Sequence, residues 1–261
     1  MLFLVSNVIL MYNLRYLKYT NYIESELCFM NDNVYYNDSS VTLRKHMAKT
    51  FVWVFLGLLV TAVTAFATLA SGLFYFVYSS TLVYIGVMIA EVATVMYISS
   101  RLYYMSYGRA VLSYILYSVL TGVTMSSVLL IYTGDVIVIA FALAAMMFLS
   151  LAVIGYRTKI NMDNYSGILV GGLIGLCIAT LVGMFLNMSG FQLVICYLGI
   201  ALFMGITVWD TQKMKKHYYY YQGDEEMLAK LSLYSALELY LDFINMFLYI
   251  IRIIGSDRRR R

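Results

Sequence analysis

Between Thr50 and Ile254 the chain is divided almost entirely into apolar runs of about membrane-spanning length, roughly 51–70, 81–100, 110–132, 136–155, 166–187, 191–210 and 231–254. About 20 apolar residues in helical conformation span about 30 Å, the thickness of the hydrocarbon core of a bilayer. Seven such runs in series, joined by short links, predict an all-α membrane protein of seven transmembrane helices. Composition agrees: 62% of residues are hydrophobic and 12% charged, with mean hydropathy +0.78, against about 45–50% apolar and about 25% charged in soluble domains. The chain has no proline, so bends in its helices are expected to fall to glycine.

The basic residues set the expected orientation. Links 101–109, 156–165 and 211–230 carry Arg101 and Arg109, Arg157 and Lys159, and Lys213, Lys215, Lys216 and Lys230, whereas 71–80, 133–135 and 188–190 carry neither Lys nor Arg. By the positive-inside rule the basic links, and the amino-terminal Arg44, Lys45 and Lys49, are cytoplasmic. Seven spans then place the carboxyl terminus outside, although it ends in Arg258, Arg259, Arg260 and Arg261. Either the last helix spans and these late charges do not set topology, or it enters and returns; spanning is the favoured expectation. The expected organisation is a leader and cytoplasmic segment over 1–48, a transmembrane domain over 49–255 and a basic tail over 256–261.

The first 29 residues fit this organisation poorly. MLFLVSNVILM is apolar but only 11 residues long and lacks a preceding basic stretch, so it is a poor signal peptide and too short to span. The functional chain is expected to begin near Met30, ahead of the polar NDNVYYNDSS. The 26 tyrosines suit an AT-rich coding sequence, which points to a bacterial source and hence to the inner membrane. Cys28, Cys177 and Cys196 are scattered and odd in number, and His46 and His217 are the whole histidine content; no disulfide framework, zinc site or other resident cofactor is expected. A net charge of +4, set mainly by links and tail, does not suggest nucleic-acid binding.

Within the spans, SGILVGGLIGLC places Gly167, Gly171 and Gly175 four residues apart on one helix face, a small-residue spacing that lets helices approach closely in lipid. Ionisable groups inside a bilayer are costly and face the bundle interior. Four acids qualify, Glu91, Asp210, Glu238 and Asp242, while Asp135, Asp163, Asp224, Glu225 and Glu226 fall in links and are expected to be solvated. In the seventh run Ser235, Glu238, Asp242, Asn245, Tyr249 and Arg252 recur every three or four residues, forming one polar stripe on an otherwise apolar helix. Such a stripe predicts a central helix whose polar edge lines a cavity or path; an interhelical hydrogen-bond network with no transport role is the plainer alternative. Glu91, Glu238 and Asn245 are the candidate path residues.

Asp210 lies where the sixth run meets its basic link, and the seventh run returns from that side, so the hairpin is expected to bring Asp210 and Asp242 face to face. Two carboxylates about 3 Å apart cannot both ionise comfortably, and a proton shared between them makes the pair a proton sensor. Deprotonated, the pair offers hard oxygen ligands to Ca²⁺, though fewer than the usual 6–8, which suits a transit site. Arg101, at the end of the second run, is either a latch for the pair or an ordinary interfacial anchor.

LYSALELYLDFINMFLYIIRIIG (233–255) resembles the terminal helix signature of the Bax inhibitor-1 family, and FLSLAVIGYRTKINM (148–162) is similar to the end of that family's fourth helix. The resemblance covers nearly all of the chain after the leader. It implies six helices around a central seventh and a pH-dependent Ca²⁺ leak, with the paired aspartates at Asp210 in VWDTQK and Asp242 in YLDFIN and the latch arginine at Arg101. Glu238 adds a carboxylate one turn before Asp242, Asn161 replaces an acid common after the family's GYxTK motif, and the Gly-Pro element of animal relatives cannot exist here. The animal apoptosis role is therefore not carried over.

Three functional classes follow. The leading expectation is a channel in which protons regulate Asp210 and Asp242 and Ca²⁺ is the transported ion. An interaction protein modulating another membrane complex, such as a quality-control protease, is the alternative. An intramembrane aspartyl protease is disfavoured, because the nearest imitation of its GxGD motif is YTGD at 132–135 and its proline-containing loop is impossible here.

Overall fold

The computed structural model describes residues 36–186 and 189–258. They form eight α-helices: α1 Tyr36–Ala70, α2 Leu73–Ser79, α3 Thr81–Arg101, α4 Tyr107–Ile131, α5 Gly134–Arg157, α6 Ser166–Leu186, α7 Ser189–Tyr220 and α8 Glu225–Arg258, with a short 3₁₀ turn at Met162–Tyr165 before α6. The readings made of residues 1–29, of Cys28 and of Arg259, Arg260 and Arg261 lie outside the described residues.

Six of these segments are long and apolar enough to cross a membrane: Thr42–Ala70, Thr81–Arg101, Tyr107–Ile131, Gly134–Arg157, Met162–Gly183 and Gly190–Tyr220. Their outward faces expose apolar side chains such as Phe55, Phe66, Leu82, Leu112, Val138 and Ile168, as lipid contact requires. The expected count of seven is met only to this extent, because α8 is not among the six. The seventh run differs from the others in holding Glu238, Asp242 and Asn245 at mid-helix and in presenting no free face. Every residue from Lys230 to Phe247 is buried, and α8 packs chiefly against α7, α1, α5 and α4. On the periphery α3 lies against α4, and α6 against α7.

Two links differ from expectation. The first, 71–80, contains the short helix α2, entered through a turn at Gly72 whose φ of 76° suits glycine. The second matters more, because α7 does not stop near 210 but continues to Tyr220. No breaker interrupts Thr211–Tyr220, and its lysines find partners that keep the helix intact. The chain then turns at Gly223, φ 102°, and the Asp224 carboxylate caps α8 by accepting from the Met227 amide at 2.9 Å.

The close approaches between helices are made at glycines other than the expected stripe. Gly171 and Gly175 lie on the exposed surface of α6 with open space where a Cβ would stand, and Gly167 is exposed beside them. Backbone meets backbone instead at Gly122, where a Cβ would stand 2.7 Å from the Thr61 carbonyl on α1, and at Gly155, 2.8 Å from the Val208 carbonyl on α7. A regular GxxxG spacing identifies a flat helix surface but not which neighbour, if any, lies on it.

Candidate functional site

The interface of α7 and α8 is antiparallel, and it pairs Phe203 with Tyr249, Asp210 with Asp242 and Lys213 with Glu238 in succession. Asp210 is 2% exposed and Asp242 and Glu238 are 0% exposed, so all three carboxyl groups sit inside the protein. The Lys213 ammonium, also buried, lies 2.7 Å from Asp210 Oδ1 and 2.7 Å from Glu238 Oε1. Asp242 stands against the Asp210 carboxyl and the Thr207 side chain. The Thr207 hydroxyl itself donates to the Phe203 carbonyl at 2.8 Å, and no well-aligned hydrogen bond reaches either Asp242 oxygen or Glu238 Oε2 among the described residues.

One ammonium therefore faces three carboxyl groups. A buried carboxylate without donor or counter-charge is unfavourable by several kcal/mol, so a further positive charge beside this cluster would be stabilised. Asp210 and Asp242 supply carboxylate oxygens, the ligand type that suits Ca²⁺. No group of three or more His, Cys, Asp or Glu is arranged to hold a metal among the described residues.

Lys213 also lies 4.6 Å from the centroid of the Trp209 ring, one helical turn back. The Trp209 indole donates to Asp163 Oδ1 at 2.8 Å, and Asp163 in turn is ion-paired with Lys216. Gln212 fixes the same linker by donating to the Ile160 carbonyl at 2.8 Å and accepting from the Met162 amide at 3.0 Å. Asp163, expected to be solvated, is thus half-buried and anchors the α5–α6 connection to α7.

The remaining predicted residues are dispersed. Glu91, 1% exposed on α3, accepts from the Thr124 hydroxyl of α4 at 2.8 Å. It belongs to a second polar region where Tyr240 of α8 meets the Thr61 hydroxyl of α1 at 2.6 Å, on the side of α8 away from Asp242. Asn245 is buried, and its amide donates to the Leu241 carbonyl of its own helix at 2.9 Å. Arg101 is exposed at the end of α3, and the cation in contact with Asp210 is Lys213. Sequence reasoning placed Lys213 in a cytoplasmic loop; the missed signal was its i,i+3 spacing from Asp210, which puts both on one face if the helix continues.

Residues 43–259 match the family model described as "Inhibitor of apoptosis-promoting Bax1". The chain belongs to the Bax inhibitor-1 family. An uncharacterized protein of Borreliella burgdorferi is 37% identical over 215 residues, covering 82% of this chain and 93% of the relative. The inner membrane protein YbhL of Escherichia coli K12 is 35% identical over 218 residues, covering 83% and 93%. An uncharacterized protein of Rickettsia prowazekii is 36% identical over 216 residues, covering 83% and 91%. The matched region begins at Leu43, within α1, and takes in every helix that builds the α7–α8 site.

Proposed function

We propose that this Bax inhibitor-1 family member is a pH-sensitive Ca²⁺ leak channel in which the Asp210–Asp242 pair senses protons and forms part of the cation path. The observation that carries the reading is the fully buried Asp242, set against Asp210 with no well-aligned hydrogen bond to either of its oxygens among the described residues. With the pair protonated, its charge is neutralised and the helices stay closed; loss of the proton leaves two facing charges that draw in a cation and drive α7 and α8 apart. Glu238 and Asn245 extend the polar edge of α8 on either side of Asp242, while Glu91, on the other side of α8, stands apart from this path. Arg101, exposed at its helix end, fits the interfacial anchor reading better than the latch.

In this reading α8 crosses the bilayer as a seventh span sheltered by the other helices, and the basic links face the cytoplasm. The name of the Escherichia coli relative supports an inner-membrane location. The test is Ca²⁺ flux into proteoliposomes as a function of pH. The full chain is expected to pass more Ca²⁺ as pH rises from acidic to neutral, and Asp210→Asn and Asp242→Asn to flatten that response. Unaltered flux and pH response in both variants would overturn the proposal.

A further inference from the structure

Among the described residues Lys213 is the one buried cation inside the acidic cluster, and neither the family signature in α8 nor the paired aspartates explain it. Its ammonium spans the two helices, 2.7 Å from a carboxylate oxygen of Asp210 and 2.7 Å from one of Glu238. It thereby occupies the oxygens that a metal cation entering beside Asp242 would need. A cation cannot share Asp210 with the ammonium, because two positive charges a few ångströms apart in a low-dielectric interior repel strongly. The same nitrogen already lies over the Trp209 ring, 4.6 Å from its centre, and that face attracts ammonium groups, so this contact can be kept when the carboxylates are given up. A flexible four-carbon stem lets the charge shift along that face, away from the carboxylates, without unwinding α7.

We propose that Lys213 is a built-in competitor for the transported cation: its ammonium neutralises Asp210 and Glu238 in the resting site and gives up those carboxylates, keeping its contact with the Trp209 face, when a divalent cation binds at Asp210 and Asp242. The inference rests on the channel reading for the identity of the cation. It adds that site affinity is held down by a tethered charge, which suits a path that must release its ion as readily as it takes it up.

The chain contains two tryptophans, Trp53 and Trp209, so a Trp53→Phe background leaves Trp209 as the lone indole beside the site. The experiment titrates the purified full chain in detergent with Tb³⁺, a hard oxygen-seeking ion whose luminescence is excited by a nearby indole, and then competes it with Ca²⁺. Lys213→Met is expected to bind Tb³⁺ at least about tenfold more tightly than the parent, since a repelling charge has been removed. Lys213→Arg retains the parent affinity, and Asp242→Asn abolishes the signal in either background. Because Lys213→Met leaves two buried acids unpaired, Lys213→Met/Glu238→Gln provides a variant with the parent's net charge and Asp210 released; it too is expected to bind more tightly than the parent. Ca²⁺ should also change Trp209 emission in the parent but not in Lys213→Met.

Unchanged or weaker Tb³⁺ binding in both folded Lys213 variants would overturn the inference and leave Lys213 a static tie between helices. Ca²⁺ flux that depends on Asp210 and Asp242, together with such Lys213-independent Tb³⁺ binding, removes the competitor while sparing the channel. Lys213-dependent binding without any Ca²⁺ flux removes the channel while sparing the competitor.

Discussion

Lys213 of α7 and Glu238 of α8 meet at 2.7 Å with both side chains inside the protein. Because Lys213 also holds Asp210 at 2.7 Å, a single ammonium ties an acid of its own helix to an acid of the next. Removing one partner of a buried ion pair strands the other, at a cost of about 3–5 kcal/mol, whereas replacing both by apolar groups is close to neutral. Lys213→Ala strands both Asp210 and Glu238, whereas Lys213→Met/Glu238→Leu strands Asp210 alone, so the single variant is expected to lower the melting temperature in detergent clearly more than the double one. Equal losses in the two would show that the pair is not what joins α7 to α8.

The glycine contacts make a paired prediction. A Cβ at Gly155 would stand 2.8 Å from the Val208 carbonyl and 2.8 Å from Thr211 Cβ, while one at Gly171 would meet open space. Gly155→Ala should destabilise the α5–α7 contact by about 1–3 kcal/mol through overpacking, and Gly171→Ala should leave thermal stability nearly unchanged. Thermal unfolding of the two variants side by side checks the contrast.

Glu91 and Thr124 provide a test of the second polar region. Glu91→Gln keeps an oxygen to accept the Thr124 hydroxyl, now at 2.8 Å, whereas Glu91→Ala leaves that hydroxyl without its side-chain acceptor and opens a cavity. Glu91→Ala is expected to cost at least about 1–3 kcal/mol more than Glu91→Gln in chemical unfolding.

Membrane orientation is open to direct labelling. With native cysteines replaced, a cysteine at Gln222 in the α7–α8 turn and one at Ser256 near the end of α8 should react with an impermeant maleimide from opposite sides of the membrane. Gln222 is expected on the side of Arg109 and Ser256 on the other. Labelling of both from one side would mean that α8 enters and returns.

Much of the helical layout was legible because apolar run length is a strong signal: α3, α4 and α5 begin and end within a few residues of the runs that predicted them. The end of α7 was not, because Lys213, Lys215 and Lys216 read as a solvated link. In the structure Lys213 is buried by Asp210 and Glu238, Lys215 donates to the Tyr156 carbonyl at 3.0 Å, and Lys216 pairs with Asp163. Those partners come from other helices, so hydropathy along one segment could not disclose them. The meeting of Asp210 and Asp242 was readable because both lie on adjacent helices joined by a short turn. Lys213's place beside them depended on the helix running on past 210, and the choice of Gly122 and Gly155 over Gly171 and Gly175 depended on which faces the neighbours take.

The burial of α8 on every side bears on how the protein is made. Residues 230–247 have no surface to offer lipid, and three acids or amides at their centre would make the isolated helix a poor guest in hydrocarbon. The order of synthesis suits this constraint, since α1, α4, α5 and α7 all precede α8 and together form its walls. The last segment to leave the ribosome thus enters a cleft prepared by its predecessors, and a chain cut short after α7 would present that cleft, with Asp210 and Lys213 inside it, to the membrane's assembly and disposal machinery.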